Sequence, residues 1–340
     1  MFQKGEQHDI TCLIENMLEG YNATRKSMQE IDKIAEESKM LAISAARELG
    51  RMEAAGGFQI ITQKIKVFAA DNYNTNQQNK ENVNRLNEQI SNMVGVRTAD
   101  VAADLIEEIE RNLFERYCNV QAWASMADSV QFATHPTDVQ YQEKATNLIE
   151  KMCSTYKVYH DILLLDKAGK VLTCAKKKDL IGSSMEDATW YQKDSDINTY
   201  VSDLYYDTTW ENYTVVFCSK IFAEDGSVIG TVATVFDWQY ILDMIDHTKI
   251  GKKGEIYLIN KQGQVIGARD RELIFHKNML LECQGAQTIL AGDLEQEYGY
   301  ALEKNDNQEL TRVLGYAKTS GYEYYQGKEW AVLALENIRV

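Results

Sequence analysis

The chain has 340 residues, of which 51 are Asp or Glu and 36 are Lys or Arg, so its formal net charge is -15. This charge argues against nucleic acid and anionic membrane surfaces as partners, because both would repel the chain. The longest apolar runs, such as Val232–Phe236, are only as long as a strand, so no segment is predicted to cross a membrane.

The cysteines and the first residues bear on the cellular compartment. The six cysteines are scattered, without the Cys-x-x-Cys spacing of a zinc site. Free, buried thiols are therefore expected rather than a metal site or disulfides. The stretch from Met1 to Glu6 lacks the apolar segment of a secretory signal, so the chain is predicted to be cytoplasmic.

A helical pattern without proline runs from about Glu6 to Val94. When Ile14 is placed at heptad position a, apolar or small side chains recur at positions a and d. These seam residues are Ile14, Tyr21, Met28, Ala35 and Ala42 at a, and Met17, Thr24, Ile31, Ser38 and Ala45 at d. Residues 54–57, Ala-Ala-Gly-Gly, predict a reversal between two antiparallel helices. Because a long hairpin cannot bury its seam alone, a homodimer forming a four-helix bundle is expected.

Residues 30–74 resemble the signalling tip of bacterial methyl-accepting chemotaxis receptors. The residues in register with that family's motif include Glu30-Ile31, Ile34-Ala35, Leu41-Ala42, Ala45-Ala46, Gly57-Phe58 and Ile60-Ile61. In that family the tip contacts the chemotaxis histidine kinase and its adaptor. The resemblance implies contact residues at Glu48, Arg51, Glu53 and Phe58. The turn is shorter than in the family, and a plain Ala-rich coiled coil is the alternative interpretation.

After this hairpin, Gly95-Val-Arg97 is predicted to form a joint. A long amphipathic helix with apolar residues from Val101 to Val120 is then expected to run to His135, where Pro136 ends it. A shorter helix is predicted from about Thr137 to Met152.

A repeated hairpin organises the rest of the chain. Asp161–Cys174 predicts two short apolar strands joined by a turn at Gly169. Glu255–Gly267 repeats this pattern with an offset of 94 residues, which is about the size of a small domain. The sequence therefore predicts two related α+β modules in tandem. A helix at Trp238–Thr248 is expected to join them.

Further strands complete each module. The first is predicted to hold strands at Tyr156–Leu165, Lys170–Ala175, Tyr213–Phe222 and Ser227–Asp237, with an irregular, aromatic-rich segment at Asp179–Thr209. The second is predicted to hold the hairpin, a helical or loop section from about Arg271 to Glu303, and strands at Glu309–Thr319 and Glu329–Asn337. The predicted fold class is α+β. Its domains are a helical hairpin (1–96), a long helix with the first module (97–243) and a smaller second module (244–340).

This order of elements resembles the double Cache sensor domains, whose modules are similar to PAS domains. Thr189-Trp190-Tyr191 is similar to that family's R-x-W-Y segment, Asp203-Leu-Tyr205 to its D-x-Y segment, and residues 229–238 to its strand ending in Asp. In the family the first module binds small ligands. The resemblance therefore implies a ligand site at Trp190, Tyr191, Tyr205, Tyr206, Asp207 and Asp237.

The ligand class follows from one departure from the family pattern. Ala188 stands where the family has an arginine that holds a carboxylate. The remaining aromatic faces and Asp237 favour a cationic or neutral ligand, such as an amine or a purine-like ring, over an amino acid. The alternative is that these aromatic residues are ordinary sheet core. His135 and His160 are further candidates, as haem ligands, and a structural role is the alternative for both.

Motifs of enzymes are missing from the sequence, since it has no G-x-S-x-G, Walker A, H-E-x-x-H or G-x-G-x-x-G pattern. The chain is therefore expected to be no enzyme and to need no cofactor or metal. We predict a soluble sensor of the chemoreceptor type that transmits ligand binding through the helix at Val101–Ala133 to a dimeric hairpin. The alternative is a structural or interaction protein that modulates receptor arrays and has a vestigial pocket.

Overall fold

The computed structural model describes residues 3–49, 56–191, 196–251, 254–283, 285–287, 297–304 and 310–339. It begins with two long helices, α1 (Gln3–Leu49) and α2 (Gly56–Ala124). They are antiparallel, because Ile14 clusters with Ile90 and Val94, whereas Met28 O accepts a hydrogen bond from Asn76 Nδ2 at 3.1 Å. The five predicted a positions are buried, and among the d positions Thr24 and Ile31 are exposed.

Two shorter helices follow, α3 (Ala127–Thr134) and α4 (Val139–Tyr156). The predicted continuous helix up to His135 is wrong, because the chain turns at residues 125 and 126. Ser125 contributes to this turn, since its hydroxyl donates to Ala122 O at 2.8 Å. The predicted shorter helix is confirmed as α4, whose first turn is capped by the Asp138 carboxylate.

The first sheet is antiparallel and has the strand order β2-β1-β6-β5-β3, with β4 paired to β5. Its strands are β1 (Tyr159–Asp166), β2 (Val171–Cys174), β3 (Thr199–Val201), β4 (Tyr205–Asp207), β5 (Asn212–Phe222) and β6 (Val228–Asp237). The two predicted hairpins are confirmed. Strands β3 and β4 lie in the segment predicted to be irregular, and each has only three residues, too few to show an alternating pattern.

The second sheet has the corresponding order, β8-β7-β11-β10-β9. After α5 (Gln239–His247), which confirms the predicted joining helix, its elements are β7 (Glu255–Ile259), β8 (Val265–Ala268), α6 (Met279–Glu282), β9 (Tyr298–Lys304), β10 (Leu310–Lys318) and β11 (Ala331–Arg339). Strand β9 lies within the section predicted to be helix or loop. The hairpin repeat extends to its turns, because Gly169 and Gly263 both have positive φ, +84° and +77°.

Helix α2 is continuous through Gly95, so the predicted joint at Gly95-Val-Arg97 is wrong. A Cβ on Gly95 would overlap the ring of Tyr300, and a Cβ on Gly315 in β10 would overlap the Thr98 carbonyl group. These glycines therefore permit close packing of α2 on the second sheet, and the buried ion pair of Arg97 and Glu336 lies at the same crossing. The domain boundary after residue 96, which falls inside α2, stays a prediction, as does the boundary after residue 243.

Candidate ligand-binding site

The site predicted from the sequence lies on the face of the first sheet that points away from α2. Side chains alternate across the sheet, so Ile162 and Leu164 belong to the core around α2, while Leu163 and Leu165 face the other side. On that side the segment between β2 and β5 covers the sheet with aromatic side chains, among them Trp190. The site is therefore formed by this buried face of the sheet and by the segment between β2 and β5 that packs on it.

Three of the predicted residues come together. The Tyr205 hydroxyl donates to Asp207 Oδ2 at 3.0 Å, and the Trp190 side chain contributes a hydrogen bond to Tyr205. Asp207 Oδ1 also accepts the backbone N–H of Thr209 at 2.7 Å. Burial raises the pKa of Tyr205, and the Asp207 carboxylate raises it further. Tyr205 therefore stays neutral and can donate its proton to the hydrogen bond with Asp207.

Asp237 lies at the end of β6 beside His160 of β1. Its Oδ1 is 3.4 Å from His160 Nε2 and accepts the Gln239 N–H, at the start of α5, at 3.0 Å. Burial lowers the pKa of His160 below its ordinary value, and the positive charge of Lys176 lowers it further. The carboxylates of Asp237 and Asp207 act in the opposite direction and raise this pKa. A neutral imidazole thus lies within electrostatic reach of both carboxylates. His160 had a place in the sequence analysis only as a haem candidate.

Two predicted residues lie elsewhere. The Tyr191 hydroxyl donates to Lys167 O at 3.1 Å, and a Cβ on Gly169 would be 2.8 Å from the Tyr191 ring. Tyr191 therefore packs against the β1–β2 turn, at the opposite end of β1 from Asp237. Tyr206 is 54% exposed and its ring contacts the ring of Tyr213, with centroids 5.4 Å apart.

Asp161 holds the loop next to the site and has no role in the sequence analysis. It is fully buried, and its two oxygens accept the backbone N–H groups of Ile162, Ala175, Lys176 and Lys177 at 2.8–2.9 Å. The Lys177 ammonium in turn donates to Thr209 O, beside Asp207. The signal that could have identified Asp161 is a carboxylate directly before the apolar run Ile162–Leu165, inside strand β1.

The cluster consists of Asp207, Asp237, His160, Tyr205 and Trp190. Among the described residues, His160 Nε2 is a buried nitrogen without a hydrogen-bond partner, as is Nε1 of Trp210, in the turn between β4 and β5. Buried polar atoms are nearly always paired, so such atoms mark a place where a bound molecule could add hydrogen bonds. Two carboxylates, a neutral imidazole and aromatic faces together suit a cation.

Other features of the described chain lie apart from this cluster. Clefts of about 470, 500 and 570 Å³ lie between α1 and α2, between α2 and α5, and between α2 and the β3 edge. No group of three or more His, Cys, Asp or Glu in the described ranges could hold a metal ion. Burial raises the pKa of the Cys218 thiol, beside Trp190, to about 12, which keeps it from acting as a nucleophile.

The predicted contact residues of the tip are only partly described. Glu48 is exposed in the last turn of α1. Phe58 lies in the first turn of α2, and its side chain falls outside the described part, as do Arg51 and Glu53 altogether. As far as the structure describes the chain, it has no helix of the length and apolar character that a membrane crossing requires.

The family model described as Cache domain matches residues 74–335. The ligand-binding domain of the Pseudomonas fluorescens chemoreceptor CtaA, in complex with L-isoleucine, is similar with a TM-score of 0.50 and 15% identity over 74% of this chain and 94% of that one. The sensory domain of the Campylobacter jejuni chemoreceptor Tlp3 (CcmL) has a TM-score of 0.50 and 14% identity over 70% and 93%.

A longer protein is also similar, an extracellular ligand binding receptor from Desulfohalobium retbaense DSM5692, with a TM-score of 0.47 and 15% identity over 69% of this chain. The chain spans 39% of that receptor. No protein with a curated description matches the sequence. At these identities the solved structures show a shared fold and nothing finer.

Proposed function

Because the chain belongs to the Cache domain family, we propose that it is a sensor that binds a small molecule on the first sheet and transmits the event to its helical hairpin. Its Cache domain resembles the ligand-binding domains of chemoreceptors. The two sheets have the same strand order and the same hairpin turns, which supports the proposal that they are the two modules of a double Cache domain. No catalytic activity is part of this proposal.

The proposed ligand is an organic amine. The observation that carries this choice is the position of Asp207 and Asp237 around a neutral His160. Lys176 and Lys177 also lie close, but the ammonium group of each donates to a backbone carbonyl oxygen, that of Tyr159 or Thr209. The two carboxylates therefore remain as partners for an ammonium group of the ligand. The arginine that could bind a carboxylate is replaced by Ala188, which lowers the expected affinity for amino acids and leaves a purine-like ring as the second candidate.

Thermal unfolding of the intact chain with putrescine, ethanolamine, adenine, L-isoleucine or succinate tests this choice. An amine at 100 times its dissociation constant is expected to stabilise the fold by about 2.7 kcal/mol. Asp207→Asn and Asp237→Asn are expected to abolish the shift, because each removes one of the two charges. Glu224→Gln, at the exposed β5–β6 turn, is the matched control and should keep the shift.

The same unfolding experiment, repeated at several pH values, tests the role of His160. The pKa of His160 is below its ordinary value of about 6.5, so acidification below that value adds a proton and one positive charge to the cluster. Amine binding is therefore expected to weaken as the pH falls through this range, and His160→Asn should remove that dependence. A larger shift with L-isoleucine than with any amine would contradict the amine assignment. No shift with any compound would favour the structural alternative with a vestigial pocket.

We also propose that the hairpin forms a dimer with a second copy of the chain. Ile34 and Leu41, one heptad apart on α1, are 59% and 67% exposed, and Ile61 and Phe68, one heptad apart on α2, are 52% and 63% exposed. This period matches that of the buried seam, so the exposed apolar stripe suits a second helical pair.

Sedimentation velocity of the intact chain is expected to show a dimer, and Leu41→Lys should weaken the dimer at least tenfold, because it places a charge in an apolar interface. Asn22→Lys adds the same charge on an exposed face of α1 and should have no such effect. Equal effects of both substitutions, or a monomeric wild type, would exclude this interface.

The proposal also includes the protein partners of the hairpin and the location of the chain in the cell. The resemblance of residues 30–74 to a receptor tip supports the chemotaxis histidine kinase and its adaptor as partners of the hairpin. All six cysteines are free thiols, and four of them are buried. Unpaired cysteines favour a reducing compartment, which supports a cytoplasmic location.

A further inference from the structure

The segment between β10 and β11, Thr319–Trp330, folds back on itself and is called the strap here. The Thr319 N–H donates to Trp330 O at 2.8 Å, and the Trp330 N–H donates to Thr319 Oγ1 at 3.0 Å, which closes the segment. Four of its residues have a left-handed backbone, the glycines 321 and 327 and also Glu323 and Glu329, with φ of 54° and 53°. A segment with this backbone keeps its shape only when its surroundings hold it.

One end of the strap is held on α2 by Glu110. This carboxylate is 4% exposed and accepts the N–H of Gly321 at 2.8 Å and that of Ser320 at 3.4 Å. A Cβ on Gly327 would be 2.7 Å from Glu110 Oε1, so the strap lies directly against the carboxylate. The Tyr322 and Tyr324 rings contact the Phe114 ring of α2, with centroids 5.3 and 5.2 Å apart.

The other end of the strap reaches the first sheet at two points, just before β4 and at the end of β6. Lys328 Nζ donates to Val201 O at 3.0 Å and is 3.1 Å from Asp203 Oδ1, two residues before Tyr205. The Trp330 ring meets the Trp238 ring edge to face, with centroids 5.4 Å apart, and Trp238 directly follows Asp237. The strap therefore contacts the chain next to each of the strands that carry the two carboxylates.

We propose that the strap, in addition to the direct packing of α2 on the first sheet, couples the ligand cluster to α2, with Lys328 as its contact on the first sheet and Glu110 as its contact on the helix. This inference rests on the proposed function. Tyr205 and Asp207 lie on a three-residue strand, which can shift more easily than the long strands of the sheet. A shift of that strand displaces Asp203, two residues before it, and Val201 at the end of β3, whose carboxylate and carbonyl groups Lys328 holds. The closed strap then passes the displacement to Glu110.

Hydrogen exchange of the intact chain without ligand tests the connection. Glu110→Gln is expected to raise the exchange rate about tenfold in the strap and also in residues 199–207, which Glu110 does not contact. Lys328→Met is expected to raise exchange in residues 199–207 and in the α2 turn around Glu110. The matched control is Lys261→Met, because Lys261 pairs with Glu329 on the exposed side of the strap at 3.4 Å without reaching the first sheet. This substitution should leave the exchange rate of residues 199–207 unchanged.

The exchange experiment is done without ligand, so its result does not depend on whether the chain binds an amine. A failure of this inference can therefore be distinguished from a failure of the proposed function. If the effect of Glu110→Gln stays within the strap, or if Lys328→Met leaves the α2 turn unchanged, the strap is a local structural feature and the inference is wrong. Both substitutions keep a side chain of similar length, and Lys328→Met alters a partly exposed residue. It therefore stays informative if Glu110→Gln prevents folding.

Discussion

Asp161→Ala is expected to lower the free energy of unfolding by about 3–5 kcal/mol, because it leaves buried N–H groups without an acceptor. The carboxylate is fully buried and accepts four backbone N–H groups, three of them from the loop of residues 175–177. The Ala175 N–H keeps a second acceptor, Ile162 O at 2.9 Å, so the cost arises mainly from the N–H groups of Ile162 and Lys177, which lose the acceptor that the carboxylate provides. Urea unfolding followed by tryptophan fluorescence measures the loss.

The matched control for this prediction is Asp166→Ala at the other end of β1. Asp166 accepts the N–H groups of Ala168 and Lys170 at 2.8 and 2.9 Å, but it is only half-buried, so water can take its place. Its loss is expected to cost about 1 kcal/mol. Asp161→Asn, which keeps one acceptor oxygen, should fall between the two. Equal costs for Asp161→Ala and Asp166→Ala would contradict the assignment of Asp161 as the buried support of the loop of residues 175–177.

Gly315→Ala is expected to destabilise the chain by about 3 kcal/mol, at the upper end of the range for overpacked sites. The added Cβ would overlap the Thr98 carbonyl group, and both partners belong to the backbone. Neither can rotate away, so α2 and β10 must separate. Thermal unfolding measures the loss, and hydrogen exchange should place it in α2 around Thr98.

Gly20→Ala is the control for this second prediction. Nothing lies within 4 Å of the position of its Cβ, and Gly20 is exposed in the interior of α1. The substitution is expected to stabilise the chain by about 1 kcal/mol, because alanine favours a helix more than glycine does. A similar effect of the two substitutions would show that α2 does not depend on close contact with β10.

The proposed ligand cluster shows how much of a site local sequence patterns can predict. Of the residues that the family resemblance implies, Trp190 and Asp207 both form a hydrogen bond with Tyr205. The family resemblance did not predict that Tyr191 packs on the β1–β2 turn. In an irregular segment, adjacent side chains such as Trp190 and Tyr191 can point in different directions. His160 becomes part of the cluster only because β1 and β6 pair side by side, which brings it to Asp237 from 77 residues away along the chain.

The sequence by itself determined the elements whose patterns are long or repeated. The heptad period identified the buried face of α1 from Ile14 to Ala42, because one face of a helix recurs at regular spacing. The two hairpins were predictable because apolar strands and turn residues alternate over a short stretch. Only the tertiary structure decided that α2 continues through Gly95, since this glycine serves a contact with Tyr300, more than 200 residues away. The same holds for Asp161, Glu110 and Lys328, because a polar side chain takes its role from the distant backbone groups that folding brings to it.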